Sequence, residues 1–279
     1  MSNASVLFDA PGPKARKRHS IIGVVTVVAM AAVLAAVVWK LWSEDQFTAD
    51  IWEPFVTPSI IELLLDGLLA TLQAAVLAII GAVLFGLVFG VAKLSDQAWI
   101  RWPAWLVVEF FRAVPLLLLI IAIWLSQDTP IGVIYPLVIG LILYNGSVLA
   151  EVFRAGINAV PKGQSEAAYA LGLTKTAVTR IILLPQAVKI MLPSIISQCI
   201  VALKDTSLGY AIVAASLTQS GREVWRTFDN RLATALVLAA VYIVLNLILT
   251  WIGNVIQRKV TGEVREVAVP GNGQVGSLA

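Results

Sequence analysis

The chain has 279 residues, of which 59% are hydrophobic and only 13% are charged, and its mean hydropathy is +0.87. Soluble domains carry about 25% charged residues, so this composition indicates an integral membrane protein. The net charge of +3 does not indicate a nucleic-acid-binding protein, because the basic residues lie at the ends of apolar segments. The single cysteine excludes an intrachain disulfide. Because the chain also has only one histidine, we expect no metal site and no catalytic residue.

Six segments are apolar enough to cross a bilayer as helices, which takes about 20 residues each. They are 21–39, 67–92, 129–150 and 232–257, which carry no charge, 102–125, which contains Glu109 and Arg112, and 181–203, which contains Lys189. Their residues do not alternate with a period of two, so they are not barrel strands. The first segment is too long for the core of a signal peptide, and we expect a retained transmembrane helix over 21–42.

The distribution of lysine and arginine predicts the orientation in the membrane. The segments that connect the spans fall alternately on the two sides of the membrane. One side holds thirteen lysine and arginine residues and the other side holds three. The segments on the first side are 1–20, 93–101, 154–180 and 257–279, and those on the second are 43–59, 126–132 and 205–231. We therefore expect both termini in the cytoplasm, an acidic extracytoplasmic loop at 43–59, five further transmembrane helices within 60–257, and a disordered tail at 258–279. The segment 207–217 is too short to cross, and either dips into the outer leaflet or lies at its interface.

The predicted cytoplasmic loop at about 158–182 contains signals for a short helix. Ser165 is the predicted N-cap of a helix that begins at Glu166, and Gly172 is its predicted left-handed end. Thr174 is the predicted cap of a second helix that runs toward Pro185. A helix of about six residues does not persist alone in water. It therefore packs on its own protein or inserts into a partner.

The spacing within this loop carries a resemblance. Glu166-Ala167-Ala168, three residues, Gly172, nine residues, and then Ile182, one residue, Leu184-Pro185 reproduce the EAA-loop pattern. The chain thus resembles the permease subunits of bacterial ABC importers over about residues 60–257. The segments "FRAVPLLL" (111–118), "EVFRAGINAVPKGQ" (151–164) and "LKDTSL" (203–208) resemble the polar amino acid subfamily, and most of all the actinobacterial glutamate-uptake permeases. The first helix and acidic loop are less typical, since many members have five spans.

The resemblance implies an all-α membrane fold, namely the type I ABC importer transmembrane domain with six transmembrane helices. It also implies a mechanism. The loop forms a coupling helix held by a cytoplasmic ATPase dimer, a second permease completes the path, and an extracytoplasmic binding protein delivers the amino acid. ATP and Mg²⁺ belong to the ATPase, which agrees with the lack of a G-x-x-x-x-G-K-[ST] motif. The implied coupling residues are Ser165, Glu166, Ala167, Ala168, Gly172, Leu173 and Pro185. Alternatives are a permease for another polar or basic amino acid, an ion-coupled secondary transporter, and a membrane enzyme.

Charged residues within spans are candidates for the substrate path, because burying them in a membrane is costly. Glu109 and Arg112 are three residues apart, as are Glu151 and Arg154, so each pair shares a helix face. These pairs either brace neighbouring helices, or Arg112, about 15 Å along its span, meets a substrate carboxylate. Lys204 and Asp205 either bind the two charges of an amino acid or hold the fifth span in place. The candidate path residues are Arg112, Glu151, Lys204, Asp205, Thr206 and Ser207.

Small and polar residues within the spans have simpler explanations. Ala82, Gly86 and Gly90 recur every four residues, which predicts a helix-packing face. For Gln73 and Asn145, which are polar residues inside spans, we expect hydrogen bonds between helices rather than contacts with a ligand. Tryptophans near the ends of spans are typical of anchors at the membrane interface.

Overall fold

The computed structural model describes residues 12–126 and 132–261, and within these ranges the secondary structure is entirely helical. The α-helices are α1 (Pro13–Ser43), α2 (Ala49–Trp52), α3 (Pro58–Ala92), α4 (Ala98–Ala113), α5 (Leu116–Leu125), α6 (Ile134–Asn158), α7 (Lys162–Ala170), α8 (Lys175–Ala177), α9 (Leu184–Asp205), α10 (Leu217–Phe228) and α11 (Arg231–Thr261). Two 3₁₀-helices (Glu53–Val56 and Thr206–Ile212) and one π-helix (Val178–Leu183) complete the order. The chain forms two compact units, Met1–Val56 and Thr57–Ala279.

The first unit is built on α1, the predicted first span. The helix begins with Pro13 in its first turn, where a missing N–H costs nothing because that group has no intrahelical acceptor. It ends at Ser43, and Lys40 in its last turn forms a 2.6 Å ion pair with Glu44. The predicted loop at 43–59 contains α2 and the first 3₁₀-helix rather than irregular chain alone.

Five helical segments among the described residues are long and apolar enough to cross a membrane. They are α1, α3, α6, α11 and the continuous stretch Lys175–Ile212, which contains α9. The helices α4 and α5 make a sixth if the bent pair counts as one span. The orientation of these spans and the position of the termini remain predictions.

The second unit is organised around the packing of α3 on α6. A Cβ atom added to Gly86 would lie 2.7 Å from the Cβ of Leu149, and one added to Gly90 would lie 2.8 Å from the carbonyl oxygen of Ala150. Only glycine permits backbones to approach this closely. The ridge that Gly86 and Gly90 form with Ala82 is therefore a packing face, as predicted.

The predicted span over 102–125 is not a continuous helix. It breaks at Val114, which is extended (φ −77°, ψ 127°), and at Pro115, and the axes of α4 and α5 differ by 100°. A residue before proline is disfavoured in the helical region, which explains the break. Arg112 consequently lies one residue before the end of α4, and not about 15 Å along a straight span.

Two further predictions about segment ends are corrected by the helix bounds. The stretch 207–217 is not one short helix, because the second 3₁₀-helix ends at Ile212, Val213 follows it with φ +55°, and Ser216 then caps α10 by accepting the N–H of Gln219. Residues 258–261 continue α11, whereas disorder was predicted for all of 258–279. The rest of that tail and residues 1–11 lie outside the described residues.

Candidate functional site: a coupling helix and two polar clusters

The predicted coupling helix is α7, and it begins earlier than expected. Pro161 precedes it and Ser165 lies inside it, where the hydroxyl donates to the carbonyl of Lys162 at 2.8 Å. The prediction that Ser165 is the N-cap is therefore wrong. Proline, with its φ fixed near −60°, starts the helix four residues earlier without a side-chain cap.

The end of α7 follows the prediction. Gly172 has φ +79°, and its N–H donates to the carbonyl of Tyr169 at 2.9 Å. The N–H of Leu173 donates to the carbonyl of Ala168 at 3.2 Å, which completes a Schellman motif. No heavy atom lies within 4 Å of a Cβ added to Gly172, so glycine is required there by backbone conformation and not by space.

One face of α7 is packed and the rest is open. Ala168 is buried against the π-helix, whereas Glu166 and Ala167 are exposed. Beside them the side chains of Tyr169 and Leu171 are 46% and 82% exposed. The exposed side of α7 thus combines the acidic and small residues of the EAA pattern with two apolar side chains.

The coupling helix is linked directly to α9. Thr174 accepts the N–H of Ala177 at 3.4 Å, as predicted, and α8, the π-helix and α9 then continue without a gap. Pro185 in the first turn of α9 has no N–H to donate. The side chain of Gln186 donates to the carbonyl of Ile182 at 2.9 Å and to the Oε1 of Gln164 in α7 at 3.4 Å.

A set of five charged residues, which we call the charged cluster, joins α3, α4 and α6. It consists of Lys93, Glu109, Arg112, Glu151 and Arg154. The Nζ of Lys93 lies 3.3 Å from Glu109 and also contacts Glu151. Arg112 Nη1 lies 3.1 Å from Glu109, and Arg154 Nε lies 2.9 Å from Glu151. The two predicted pairs are thus present.

Lys93 is the member of the charged cluster that the sequence reasoning missed. Its side chain is only 5% exposed, whereas the distribution of basic residues predicts an ordinary cytoplasmic loop charge at this position. The available signal was its position directly after the uncharged segment 67–92, one turn beyond Gly90 of the packing ridge. That position brings it to the surface of α6 that carries Glu151.

A second set of polar side chains, which we call the amide cluster, lies between α6 and α9. Gln198 donates to the Oδ1 of Asn145 at 2.5 Å, and Asn145 donates to the Oδ2 of Asp205 at 3.4 Å. Asn145 is almost fully buried, so the predicted hydrogen bond between helices is confirmed, while Gln198 was not predicted. Among the described residues, the ion pairs do not include Asp205 or Lys204.

The predicted path residues therefore separate into two groups. Arg112 and Glu151 belong to the charged cluster, whereas the stretch Lys204–Ser207 adjoins the amide cluster. Within that stretch Lys204 is exposed, and the buried hydroxyl of Thr206 donates to the carbonyl of Leu203 at 2.6 Å. The carbonyl of Ser207 accepts the hydroxyl of Thr218 at 3.2 Å. Thr206 and Ser207 thus contribute to the packing of the 3₁₀-helix.

Comparison with known proteins decides the family. Residues 82–262 match the family model of binding-protein-dependent transport system inner membrane components. The chain belongs to this family. It is 40% identical over 230 residues to the glutamate transport system permease protein GluD of Corynebacterium glutamicum, which covers 78% of the chain and 83% of that protein. It is 31% identical over 203 residues to the arginine transport system permease protein ArtQ of Bacillus subtilis, covering 71% and 93%.

A solved structure gives the same result for the fold. The permease superposes on a structure described as an amino acid ABC transporter with histidines, with a TM-score of 0.67 and 30% identity over 71% of this chain and 94% of that one. The predicted all-α, type I ABC importer fold and the multi-pass inner-membrane location are thereby confirmed. The relatives of this chain are permease subunits and not enzymes, in agreement with the prediction. The family is described as binding-protein-dependent.

Proposed function

We propose that the chain is the permease subunit of an ABC importer that carries glutamate into the cell by alternating access. The relative with 40% identity is named as a glutamate permease. The names of the other two proteins reported above also refer to amino acid transport. A cytoplasmic ATPase dimer, which holds ATP and Mg²⁺, drives the transport through α7. A second permease subunit, a copy or a homologue, completes the path, and an extracytoplasmic binding protein delivers the amino acid.

The observation that carries this proposal is the continuous segment Lys175–Ile212. The coupling helix is attached to its first part through Gln186, and Asp205 lies at the far end of α9. The 22 residues of α9 are about 33 Å long at 1.5 Å per residue. A displacement of α7 by the ATPase is therefore passed along one helix to the only acidic residue of the amide cluster.

The amide cluster has the chemistry to bind an amino acid. Asp205 supplies a carboxylate whose only hydrogen-bond partner among the described residues is the amide of Asn145, so it retains acceptor capacity for an ammonium group. The exposed ammonium of Lys204 is a donor for a substrate carboxylate. In contrast, Arg112 is already paired with Glu109, and Glu151 is already paired with Lys93 and Arg154, which makes them weaker candidates.

Reconstitution of the permease with its ATPase, partner permease and binding protein tests this proposal. Gly172→Val places a β-branched residue at φ +79°, which costs about 1–2 kcal/mol and disrupts the Schellman motif. We expect ATP-dependent glutamate uptake and stimulated ATPase activity to fall about tenfold. Gly163→Ala is the matched control, because an added Cβ meets no heavy atom within 4 Å at either glycine, whereas Gly163 does not have the positive φ of Gly172.

The outcomes separate the parts of the proposal. Full uptake by Gly172→Val would contradict the coupling role of α7. Uptake that follows an ion gradient without ATP would contradict the importer mechanism. Competition by unlabelled arginine or glutamine that exceeds competition by glutamate would contradict the cargo alone.

A further inference from the structure

A cavity of about 470 Å³ lies beside the charged cluster and has no role in the proposed transport. Arg101, Trp102 and Trp105 of α4 line it together with Arg154 of α6. Lys93, Glu109 and Glu151 of the charged cluster also line it. The distribution of basic residues places these groups on the predicted cytoplasmic side of the membrane.

The charge balance around the cavity favours an anion. Both carboxylates are already paired, since Lys93 contacts both of them, Arg112 contacts Glu109 and Arg154 contacts Glu151. These five residues comprise three cations for two carboxylates. Arg101 adds a further positive charge, and its Nη1 donates to backbone carbonyls of Ser95 at 3.0 Å and Asp96 at 3.4 Å.

The two guanidinium groups retain donors that point to a phosphate ligand. In the described part of the chain, the hydrogen bonds of Arg101 use Nη1 alone and those of Arg154 use Nε alone. Each guanidinium carries five N–H donors in a planar fork that matches the oxygens of a phosphate. Arg101 and Arg154 thus present free donors at one cavity from two different helices.

The aromatic residues distinguish a lipid from a small anion. Trp102 and Trp105 pack edge to face with centroids 5.7 Å apart, and they are 63% and 45% exposed. Leu106, the next residue of α4, is 63% exposed as well. Exposed indoles beside an apolar helix surface are typical of the headgroup level of a bilayer. A free phosphate would use the arginines but not this surface, whereas a phospholipid uses both.

We propose that this cavity binds the phosphodiester headgroup of an anionic phospholipid, with Arg101 and Arg154 on the phosphate and the acyl chains along Trp102, Trp105 and Leu106. The cytoplasmic leaflet is rich in anionic lipids, and basic pockets between helices on that side bind such headgroups. A lipid in this position bridges α4 and α6 at the charged cluster. It stabilises the broken span at its predicted cytoplasmic end.

The full-length chain in nanodiscs of equimolar phosphatidylcholine and phosphatidylglycerol tests the proposal. After gentle release, native mass spectrometry measures how much of each lipid is retained. We expect a preference for phosphatidylglycerol that falls about fivefold in each of Arg101→Gln and Arg154→Gln, since each basic group contributes about 1 kcal/mol to anionic lipid binding. Arg101→Lys and Arg154→Lys should keep most of it. Arg258→Gln is the matched control, because Arg258 is an exposed cation at the predicted cytoplasmic end of α11.

Three outcomes would overturn the assignment. The wild-type chain retaining both lipids equally would show that the cavity is not selective for anionic headgroups. An equal loss of preference in Arg258→Gln would show that surface charge in general attracts the lipid. Displacement of the lipid by millimolar inorganic phosphate, without loss in Trp102→Ala, would show that the ligand is a free anion. A loss of preference in Trp102→Ala, with circular dichroism and elution volume unchanged, supports the lipid.

Discussion

The charged cluster and the amide cluster both place partly buried carboxylates at contacts between helices, but the partners of these carboxylates differ. Glu109 and Glu151 each contact two cations, and Lys93 is common to both. Asp205 has one hydrogen bond, at 3.4 Å, to a neutral amide. A carboxylate with two cationic partners is compensated within the protein, whereas a carboxylate with one amide remains ready for an external cation. The number of partners, and not the presence of charge, is therefore our criterion for proposing a brace at the charged cluster and a binding site at the amide cluster.

This difference has a physical basis in desolvation. Charges removed from water regain their lost solvation only when partners surround them with good geometry. The charged cluster meets that requirement through contacts from three helices. The amide cluster meets it only in part, and under the proposed function the ammonium group of a zwitterionic substrate would supply the missing charge.

The largest expected effect is that of Asp205→Asn, which removes the charge while preserving the shape of the side chain. A hydrogen bond to a charged group contributes about 1.5–3 kcal/mol. Uptake of glutamate by the reconstituted importer should therefore fall about 10- to 100-fold. The affinity of the separate binding protein for glutamate should not change.

Asp229→Asn is the control for Asp205→Asn. Asp229 is exposed and has φ +49°, a conformation that asparagine tolerates well. We expect its uptake to stay within about twofold of the wild type. If Asp205→Asn transported at the same rate as this control, Asp205 would be a helix brace, and the contrast between the two clusters would be lost.

Lys93→Met is the second largest change and acts on stability. It leaves Glu109 and Glu151 facing each other without their shared cation. Removing one partner of a fully buried pair costs about 3–5 kcal/mol, and because Glu109 is partly exposed we expect about 2 kcal/mol. The thermal unfolding midpoint in detergent should fall by several degrees.

Two further variants decide whether charge balance explains that loss. Lys93→Met combined with Glu151→Gln should recover part of the midpoint, since it removes one of the stranded charges. Lys259→Met, an exposed cation at the end of α11, should leave the midpoint unchanged. Equal losses in the single and double variants would mean that Lys93 acts by packing and not by charge.

The sequence predicts the coupling helix well because its signals are local. A left-handed glycine, a threonine cap and the spacing to Pro185 all act within a few residues, and the structure confirms Gly172 and Thr174 in these roles. The helix start was misplaced because Ser165 and Pro161 are both acceptable beginnings. Only the conformation of the preceding turn selects between them.

The clusters were harder to predict because they depend on contacts between distant segments. Lys93 and Glu151 are 58 residues apart, and Asn145 and Asp205 are 60 apart. Periodicity shows that Glu109 and Arg112 share a face, but it cannot show which cation of another helix meets them. Pro115 is a local signal for a helix break, but the length of the apolar segment 102–125 favours a single continuous span.

Arg112→Ala is expected to have a smaller effect than Lys93→Met. Its ion pair with Glu109 is 39% and 37% exposed at the two side chains, so solvent screens it, and Glu109 keeps Lys93 as a partner. Exposed pairs contribute about 0–1 kcal/mol. Glutamate uptake should stay within about threefold of the wild type. A larger loss of uptake, with normal binding-protein affinity, would place Arg112 on the substrate path.

The smallest effect is expected at the ion pair between Asp96 and Lys175. This pair connects the turn between α3 and α4 to α8, the short helix that follows the coupling helix. Both side chains are largely exposed, so salt screens their attraction. The hydrogen bond from Lys175 and its charge hold the pKa of the Asp96 carboxyl below its ordinary value. A lowered pKa means that any stabilisation is present above the unfolded value, about 3.9, and is lost as the pH falls through the folded value.

A double-mutant cycle with Asp96→Asn and Lys175→Met therefore should give a small coupling in thermal unfolding at pH 7, reduced at high salt and in acid. It should leave the stability difference caused by Lys93→Met unchanged, because the charged cluster is compensated on its own. A coupling that persists in acid would show that the contact does not depend on the Asp96 charge. If the effect of Lys93→Met changed when Asp96 and Lys175 were also replaced, the charged cluster would be coupled to the segment that follows α7, and it would not be a self-contained brace.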